Sequence, residues 1–259
     1  MDRARRHAYL RAMGITPWLP RGDGATVPVP ARGGPNAPLV QPTSVAPGDQ
    51  GPEGPSRASP PPVRAGALER EGAVTMLDWG DLAAAVAACR ACGLCETRTQ
   101  TVFGVGNRNA QLLVIGEAPG ADEDREGEPF VGRAGQLLNR MLAAIALRRQ
   151  QVYIANILKC RPPGNRDPRP EEVVRCQPYL GRQIELISPR IVLALGRIAA
   201  QSLLATDQPL GRLRGRWLAL GPRAIPLRVT YHPAYLLRSP DQKARAWEDL
   251  VEVARRLGD

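Results

Sequence analysis

The sequence predicts an α/β fold: a three-layer α/β/α domain with a central, mainly parallel four-stranded sheet, preceded by a disordered N-terminal extension. Short apolar runs alternate with helical patterns after about residue 76, and this order is typical of parallel sheets covered by helices. The first run, at 111–115, is apolar throughout and leads into Gly116, as expected for a strand buried on both faces. About half of the 26 prolines lie before residue 75, outside this alternating pattern, which indicates that the N-terminal part is organised differently.

The elements of the folded part follow in chain order. Strands are predicted at 111–115, 152–158, 191–195 and 227–231. Helices are predicted at 77–90, 134–146, 171–187, 197–204 and 245–257, where apolar residues recur at helical spacing. A segment of this length suffices for one hydrophobic core, so we expect a single domain at 76–259.

The N-terminal part divides into two segments. Residues 22–75 are rich in Pro, Gly and Ser and cannot bury enough apolar surface to offset the entropy of ordering, so we interpret them as a disordered linker. Residues 1–21 contain a short apolar stretch from Tyr9 to Leu19. One interpretation is a docking helix for a protein partner, and the other is a weakly ordered terminus.

The charge balance favours a polyanionic partner. The chain has 35 Lys+Arg against 25 Asp+Glu, a formal net charge of +10, which suits nucleic acid; an arginine-rich genome would give the same excess. No apolar run reaches the roughly 18 residues of a membrane span. The first residues carry charges where a signal peptide needs an apolar core. We therefore expect a cytoplasmic monomer without a membrane partner.

Three unusual polar residues follow predicted strands. Glu117 comes after the first strand, Asn156 lies near the end of the second, and His232 follows the fourth. Ligands of open parallel sheets bind outside the carboxyl ends of the strands. These residues are therefore expected to meet in one crevice.

The five cysteines all lie in the folded part. Cys89, Cys92 and Cys95 form a Cys-x2-Cys-x2-Cys run, and Cys160 and Cys176 follow much later. In a reducing compartment such residues indicate a metal or cluster site before disulfides. Zinc ribbons usually show two short Cys-x2-Cys pairs, so this spacing favours a [4Fe–4S] cluster, with zinc and unligated buried thiols as the alternatives.

Two segments carry further candidate residues. The loop at 116–135 holds Phe130, whose ring either stacks on a base or packs the loop onto the core. The segment at 231–240 contains Leu236, Leu237 and Arg238. Apolar side chains beside a cation can wedge into a duplex and hold its phosphate, but the same leucines would serve as core residues if a helix began there.

Taken together, these segments resemble the family-4 uracil-DNA glycosylases, the iron–sulfur branch of that superfamily. The resemblance covers about residues 77 to 259 and rests on five segments in the right order. They are Cys89-x2-Cys92, the FGVGN segment at 103–107, GEAPGADEDREGEPFVGRAGQLL from Gly116, NILKCRPP from Asn156 together with Cys176, and HPAYLLR from His232.

The resemblance implies a cofactor and a set of site residues. It implies a [4Fe–4S] cluster on Cys89, Cys92, Cys160 and Cys176, with Cys95 spare. It places Glu117 and the Ala118 backbone near the sugar and base, Glu123 beside the uracil edge where thymine has its methyl, Phe130 on the face of uracil, Asn156 at its hydrogen-bonding edge and His232 near O2. The implied partner is uracil-containing DNA, single- or double-stranded.

The chemistry of uracil excision suits these residue types. An amide can pair with uracil O4 and N3–H together, whereas cytosine reverses that pattern. The departing uracil anion needs a donor, which His232 can supply, and Glu117 is expected to position water or to orient the loop. Three alternatives stay open: a glycosylase for hypoxanthine or xanthine, a non-catalytic iron–sulfur DNA-binding module, and a small electron-transfer protein.

Overall fold

The computed structural model describes residues 72–258. The predicted N-terminal segment at 1–21 and nearly all of the linker at 22–75 lie outside these residues. None of the helices between residues 72 and 258 combines the length and the apolar composition that crossing a bilayer requires.

Besides helical residues at 72–75, the described residues form six strands and, from Trp79 onward, nine helices of four residues or more. The strands are β1 (Val105–Gly106), β2 (Leu112–Gly116), β3 (Tyr153–Asn156), β4 (Ile191–Leu195), β5 (Trp217–Leu220) and β6 (Ile225–Thr230). The helices are α1 (Trp79–Ala87), α2 (Leu94–Thr97), α3 (Ala121–Glu126), α4 (Arg133–Ala144), α5 (Pro170–Ile187), α6 (Arg197–Leu204), α7 (Leu210–Leu213), α8 (Pro233–Arg238) and α9 (Lys243–Gly258).

The strands make one mixed sheet in the order β1-β3-β2-β4-β6-β5. Its four inner strands are parallel, and they are the four strands that the sequence predicts. The outer strands β1 and β5 pair antiparallel with β3 and β6. The prediction of four strands was therefore wrong in number, because both edge strands are short and β5 is only partly buried.

Helices cover both faces of the sheet. Along β2, Leu112 and Val114 pack against α4, α8 and α9, whereas Leu113 and Ile115 pack against α5, α6 and α7. All five residues of β2 are buried, which explains the unbroken apolar run in the sequence. The layers are therefore α/β/α, and β2 lies at the centre of the core.

Two short helices stand where the sequence predicted loops. The first is α3, at 121–126, inside the polar loop after β2. The second is α8, which begins with Pro233 at its first position and with His232 as the N-cap. Proline is favoured at the first helical position because its missing N–H would have no partner there.

Candidate active site

The candidate site lies at the carboxyl ends of the parallel strands. Gly116 ends β2 and is the register partner of Asn156, which ends β3. Gly196 follows β4 and its N–H donates to the carbonyl of Thr230 at the end of β6, at 2.8 Å. His232 comes two residues later in the chain. The topology thus brings to one edge residues that are far apart in sequence.

Gly116 is the point where Asn156 and Phe130 meet. A Cβ atom at Gly116 would lie 2.5 Å from Asn156 Oδ1 and 2.6 Å from Phe130 Cζ. Both distances are too short for real atoms, so only glycine lets the two side chains reach the end of β2. The ring of His232 lies beside Phe130, with 5.6 Å between ring centroids and 33° between planes.

Phe130 has an unusual backbone for a bulky residue. Its φ is +57°, in the left-handed region, and its side chain is buried. A Cβ atom at Gly135 would collide with the Phe130 carbonyl, so the backbone of α4 lies directly against this residue. Such strain persists only where the surroundings hold it in place.

Arg149 holds the loop that carries Phe130. Its guanidinium donates to Glu128 Oε1 at 2.8 and 3.2 Å, to the Pro129 carbonyl, and to the Phe130 carbonyl at 3.4 Å. Sequence reasoning missed Arg149 because it lies 19 residues from Phe130 and carries no motif.

Glu123 also organises this loop. Its carboxylate accepts hydrogen bonds from the backbone N–H groups of Gly120 at 3.1 Å, Val131 at 3.0 Å and Gly132 at 3.2 Å. The carboxylate thereby joins the start of α3 to the start of α4. These three hydrogen bonds give Glu123 a structural role in shaping the loop.

Asn156 has an acceptor atom without a partner. The residue is 1% exposed, and its Oδ1 accepts no hydrogen bond from the residues that the structure describes. A buried polar atom left unpaired costs about 1–3 kcal/mol, and in a native protein it points to a ligand or water. Behind it, Lys159 Nζ donates to the Asn156 carbonyl at 3.1 Å and to Gln183 Oε1 at 2.6 Å.

His232 is held in a defined tautomer. Its Nδ1 accepts the N–H of Ala234 at 3.2 Å, so in the neutral ring the proton is on Nε2. Burial, together with the positive charge of Arg238, lowers the pKa of His232 to about 4, and the ring is therefore neutral at pH 7. A Cβ atom at Gly196 would lie 2.9 Å from His232 Cβ, so glycine is required there as well.

Glu117 is a carboxyl group with a strongly raised pKa. Its pKa is raised to about 7, mainly by burial and also by the Asp167 carboxylate, whereas the Arg197 guanidinium acts in the opposite direction. Arg197 starts α6, and its Nη2 lies 2.8 Å from Asp167 Oδ2. A pKa near the working pH suits a group that exchanges protons during a reaction. Ala118, the next residue, packs beside Leu158 and Cys160.

The three candidate DNA-contacting residues on α8 separate into two groups. Leu236 is 1% exposed and belongs to the core beneath the sheet, so the expectation that it wedges into DNA is corrected. Leu237 is 38% exposed, and Arg238 is exposed as well. The difference follows from helical geometry, because consecutive residues of a helix point about 100° apart.

All five cysteines are among the residues lining one cavity of the described domain. Arg98 Nη1 donates to Cys160 Sγ at 2.9 Å, and the Lys159 N–H donates to Cys176 Sγ at 3.3 Å. Burial raises the pKa of the Cys176 thiol to about 12, against a smaller opposing effect of Lys159. No group of three or more ligand side chains within 72–258 is arranged to hold a single metal ion.

The fold and the site define a class of protein. Residues 103–251 match the model of the uracil DNA glycosylase superfamily. This match contains Glu117, Phe130, Asn156 and His232, whereas Cys89, Cys92 and Cys95 precede it.

Individual relatives narrow the class to one family. The chain is 44% identical over 188 residues to the type-4 uracil-DNA glycosylase of Archaeoglobus fulgidus, covering 69% of this chain and 92% of the relative. It is 44% identical over 161 residues to that of Thermotoga maritima, covering 61% and 82%. It is 42% identical over 177 residues to that of Saccharolobus solfataricus, covering 65% and 82%. The chain belongs to the type-4 uracil-DNA glycosylase family.

Proposed function

We propose that the protein excises uracil from DNA by hydrolysing its N-glycosidic bond, leaving an abasic site for base excision repair. One observation carries this proposal: an amide, an aromatic ring and a neutral imidazole meet at Gly116 and Gly196, at the ends of the inner strands. A uracil turned out of the helix needs contacts to its edge, its face and its O2. Membership in the type-4 family supports the same reaction.

Asn156 is the residue that distinguishes uracil from cytosine. Its unpartnered Oδ1 accepts from uracil N3–H, and its Nδ2 donates to O4. Cytosine presents an acceptor at N3 and a donor at C4, so it would leave both amide groups unpaired in a buried site. Each unpaired group costs about 1–3 kcal/mol, which is enough to exclude the far more abundant base.

Phe130 and Glu123 shape the base pocket. The Phe130 ring stacks on the face of uracil, and Glu123 sets the path of the loop by binding three backbone N–H groups. Thymine differs from uracil by a C5 methyl alone, so its exclusion needs atoms close to C5. We assign that position to Glu123 and the adjoining backbone.

His232 stabilises the leaving group. As the glycosidic bond breaks, negative charge grows on the uracil ring and its O2 needs a donor. The Nε2–H of the neutral imidazole is the donor available to O2, because Nδ1 already accepts the Ala234 N–H. Removing one donor of this kind typically costs about 10²–10³ in rate.

Glu117 acts on the sugar side of the bond. Its carboxylate, when ionised, stabilises the positive charge that develops on the sugar and positions the water that attacks C1′. The Ala118 backbone completes this side of the pocket. The raised pKa reflects a carboxylate held away from bulk water, where its charge acts most strongly.

The chemistry of the cysteine cavity's lining supports a [4Fe–4S] cluster as its ligand. Its lining combines thiols with two N–H groups that donate to Cys160 and Cys176, and hydrogen bonds to sulfur are usual around such clusters. We assign Cys89, Cys92, Cys160 and Cys176 as the ligands and Cys95 as spare. Uracil hydrolysis has no redox step, so the bound cluster would supply structural support to the loops after α1 and β3.

Leu237 and Arg238 contact the DNA. The exposed apolar side chain enters the space left by the extruded base, and the guanidinium binds a neighbouring phosphate. Both residues follow His232 on α8, so a base bound at His232 brings the flanking DNA to them.

An excision assay tests this function. The purified protein, with its iron content measured, is incubated with an end-labelled oligonucleotide that carries one uracil, and hot alkali then cuts any abasic site. Parallel substrates carry hypoxanthine, xanthine, or thymine opposite guanine. We expect cleavage at uracil and none at thymine. Cleavage at none of the four bases by iron-loaded protein would contradict the proposal and favour a DNA-binding module without catalysis.

A further inference from the structure

Tyr235 is an exposed aromatic residue that the proposed reaction does not use. It lies on α8, three residues after His232, and 38% of its surface is exposed. Only four large hydrophobic residues within the described range are this exposed, and two of them, Tyr235 and Leu237, are on this six-residue helix. An apolar patch beside an active site generally marks a binding surface.

The ring of Tyr235 is supported from the interior. It stacks on Tyr231, with 5.3 Å between centroids and 26° between planes. The Arg214 guanidinium lies 4.4 Å from the centroid of Tyr231. Arg214 is fixed in turn by the buried carboxylate of Asp249, at 2.7 Å and 2.8 Å, and by the Arg245 carbonyl at 2.8 Å. These contacts form a continuous path from the core to the exposed ring.

This support holds an aromatic surface ready before any ligand binds. A loose exposed tyrosine loses rotamer freedom on contact, whereas a stacked one has already lost most of it. A DNA base is a flat ring that stacks on an aromatic side chain whatever its sequence. The exposed cation Arg238 on the same helix matches the charge of the adjoining phosphate.

We propose that Tyr235 stacks on the base of a nucleotide next to the extruded uracil and so holds the strand in register with the pocket. This inference rests on the proposed function, because it takes uracil-containing DNA as the ligand. It assigns a base contact to one side of the gap that the extruded uracil leaves in the base stack, in addition to the wedge at Leu237.

The test measures DNA binding without cleavage. The target nucleotide is 2′-fluoro-2′-deoxyuridine, whose fluorine disfavours the cationic sugar and so slows hydrolysis. Three single-stranded oligonucleotides are compared by fluorescence anisotropy: one intact, one lacking the base 5′ of the target, and one lacking the base 3′ of it. The proteins are wild type, Tyr235→Ala, Tyr235→Phe, and Val174→Ala as a control that shortens an exposed apolar residue far along the chain.

We expect Tyr235→Ala to raise the Kd for intact DNA roughly tenfold, with Tyr235→Phe and Val174→Ala within about twofold of wild type. On one of the two base-deficient strands, wild type should weaken to the level of Tyr235→Ala and the variant should weaken no further. An equal Kd for wild type and Tyr235→Ala on intact DNA, or the same loss on all three strands, would overturn the inference. The excision assay on ordinary uracil DNA reports separately on the proposed function.

Discussion

At the scale of single residues, His232 combines a structural contact with the chemical role proposed for it. Its Nδ1 caps α8 by accepting the Ala234 N–H, and this contact determines that Nε2 carries the proton. Burial lowers its pKa to about 4. The imidazole is thus a neutral hydrogen-bond donor over the whole physiological pH range. Such a donor suits the proposed role, in which it stabilises an anion without carrying a charge itself.

Two variants separate the roles of His232. His232→Ala should slow single-turnover excision by about 10²–10³ and also weaken the start of α8. His232→Asn retains a favoured N-cap acceptor, so it should keep the melting temperature of wild type while losing most of the activity. Excision by His232→Ala within tenfold of the wild-type rate would refute the assigned role.

Glu117 predicts a pH dependence. Its pKa of about 7 means that the carboxylate forms as pH rises from 6 to 8, so the excision rate should increase over that range. His232, with a pKa near 4, adds no step there. Glu117→Gln should be slow and should lose this dependence. Identical pH profiles for the variant and wild type would contradict the assignment.

The same residue has a predicted cost to stability. A carboxyl whose folded-state pKa lies above its ordinary value of 4.5 favours folding when protonated, and this contribution is lost as pH rises. Glu117→Gln should therefore melt higher than wild type at pH 8, by roughly 1 kcal/mol or about 2–4 °C, with a smaller difference at pH 5. Thermal melts at the two pH values measure it.

At the scale of elements, the sequence predicts those strands that are buried on both faces of the sheet. The four inner strands lie within about two residues of their predicted bounds, because continuous apolar runs mark them. The edge strands β1 and β5 were missed, since two to four partly exposed residues leave no such run. The helices α3 and α8 were missed because six residues are too few to show a period.

The candidate site divides in the same way. Asn156 and His232 could be placed at one edge of the sheet from the sequence, because polar residues that directly follow apolar strands are conspicuous. Arg149 and Lys159 were missed because their contacts are tertiary: Lys159 bonds to Phe103, which is 56 residues away. The sequence left open whether Leu236 is a DNA wedge or a core residue, since the answer depends on the rotation of α8 about its axis.

Arg149 supplies a prediction for the loop after β2. Arg149→Met removes the donors that hold the Pro129 and Phe130 carbonyls, so the left-handed backbone of Phe130 loses support worth about 1–3 kcal/mol. We expect KM for uracil DNA to rise several-fold. Arg148→Met, at an exposed neighbour, is the matched control and should behave as wild type. Equal KM values for both variants would show that the loop needs no clamp.

The cysteines supply a prediction for the elements around the cavity. Cys160→Ser should remove iron and sulfide from the purified protein and lower its melting temperature, whereas Cys95→Ser should retain both. Iron and acid-labile sulfide per chain, with the visible absorbance, are the measurements. The same Cys→Ser change is made at Cys89, Cys92 and Cys176. If Cys95→Ser lost its iron while one of the other four variants kept it, Cys95 would replace that residue in the ligand set.

At the scale of the whole molecule, the relatives correspond to only a part of this chain. The alignment to the Archaeoglobus fulgidus protein covers 69% of this chain but 92% of that relative. The superfamily match runs from residue 103 to residue 251, in the C-terminal part of the chain. The catalytic domain is therefore proposed to be the segment from about residue 76, with residues 1–21 and the linker serving recruitment of a protein partner.

Deleting residues 1–71 tests this division. The shortened protein should excise uracil from a short oligonucleotide at a rate within about twofold of the full chain, because every assigned site residue is retained. Its salt dependence should also be similar unless the removed arginines contact phosphates. A large loss of activity at equal iron content would show that the N-terminal part belongs to the enzyme itself.

The borders of the sheet have a consequence for self-association. On one side the sheet ends in a strand of two residues, and on the other in a strand of four, whose Trp217 ring lies within 5.6 Å and 4.6 Å of the Arg228 and Arg256 guanidiniums. A neighbouring copy would find few free backbone groups at either edge and would meet the exposed Arg256 cation beside β5. Within residues 72–258, the sheet borders are therefore poor templates for adding strands from a second copy.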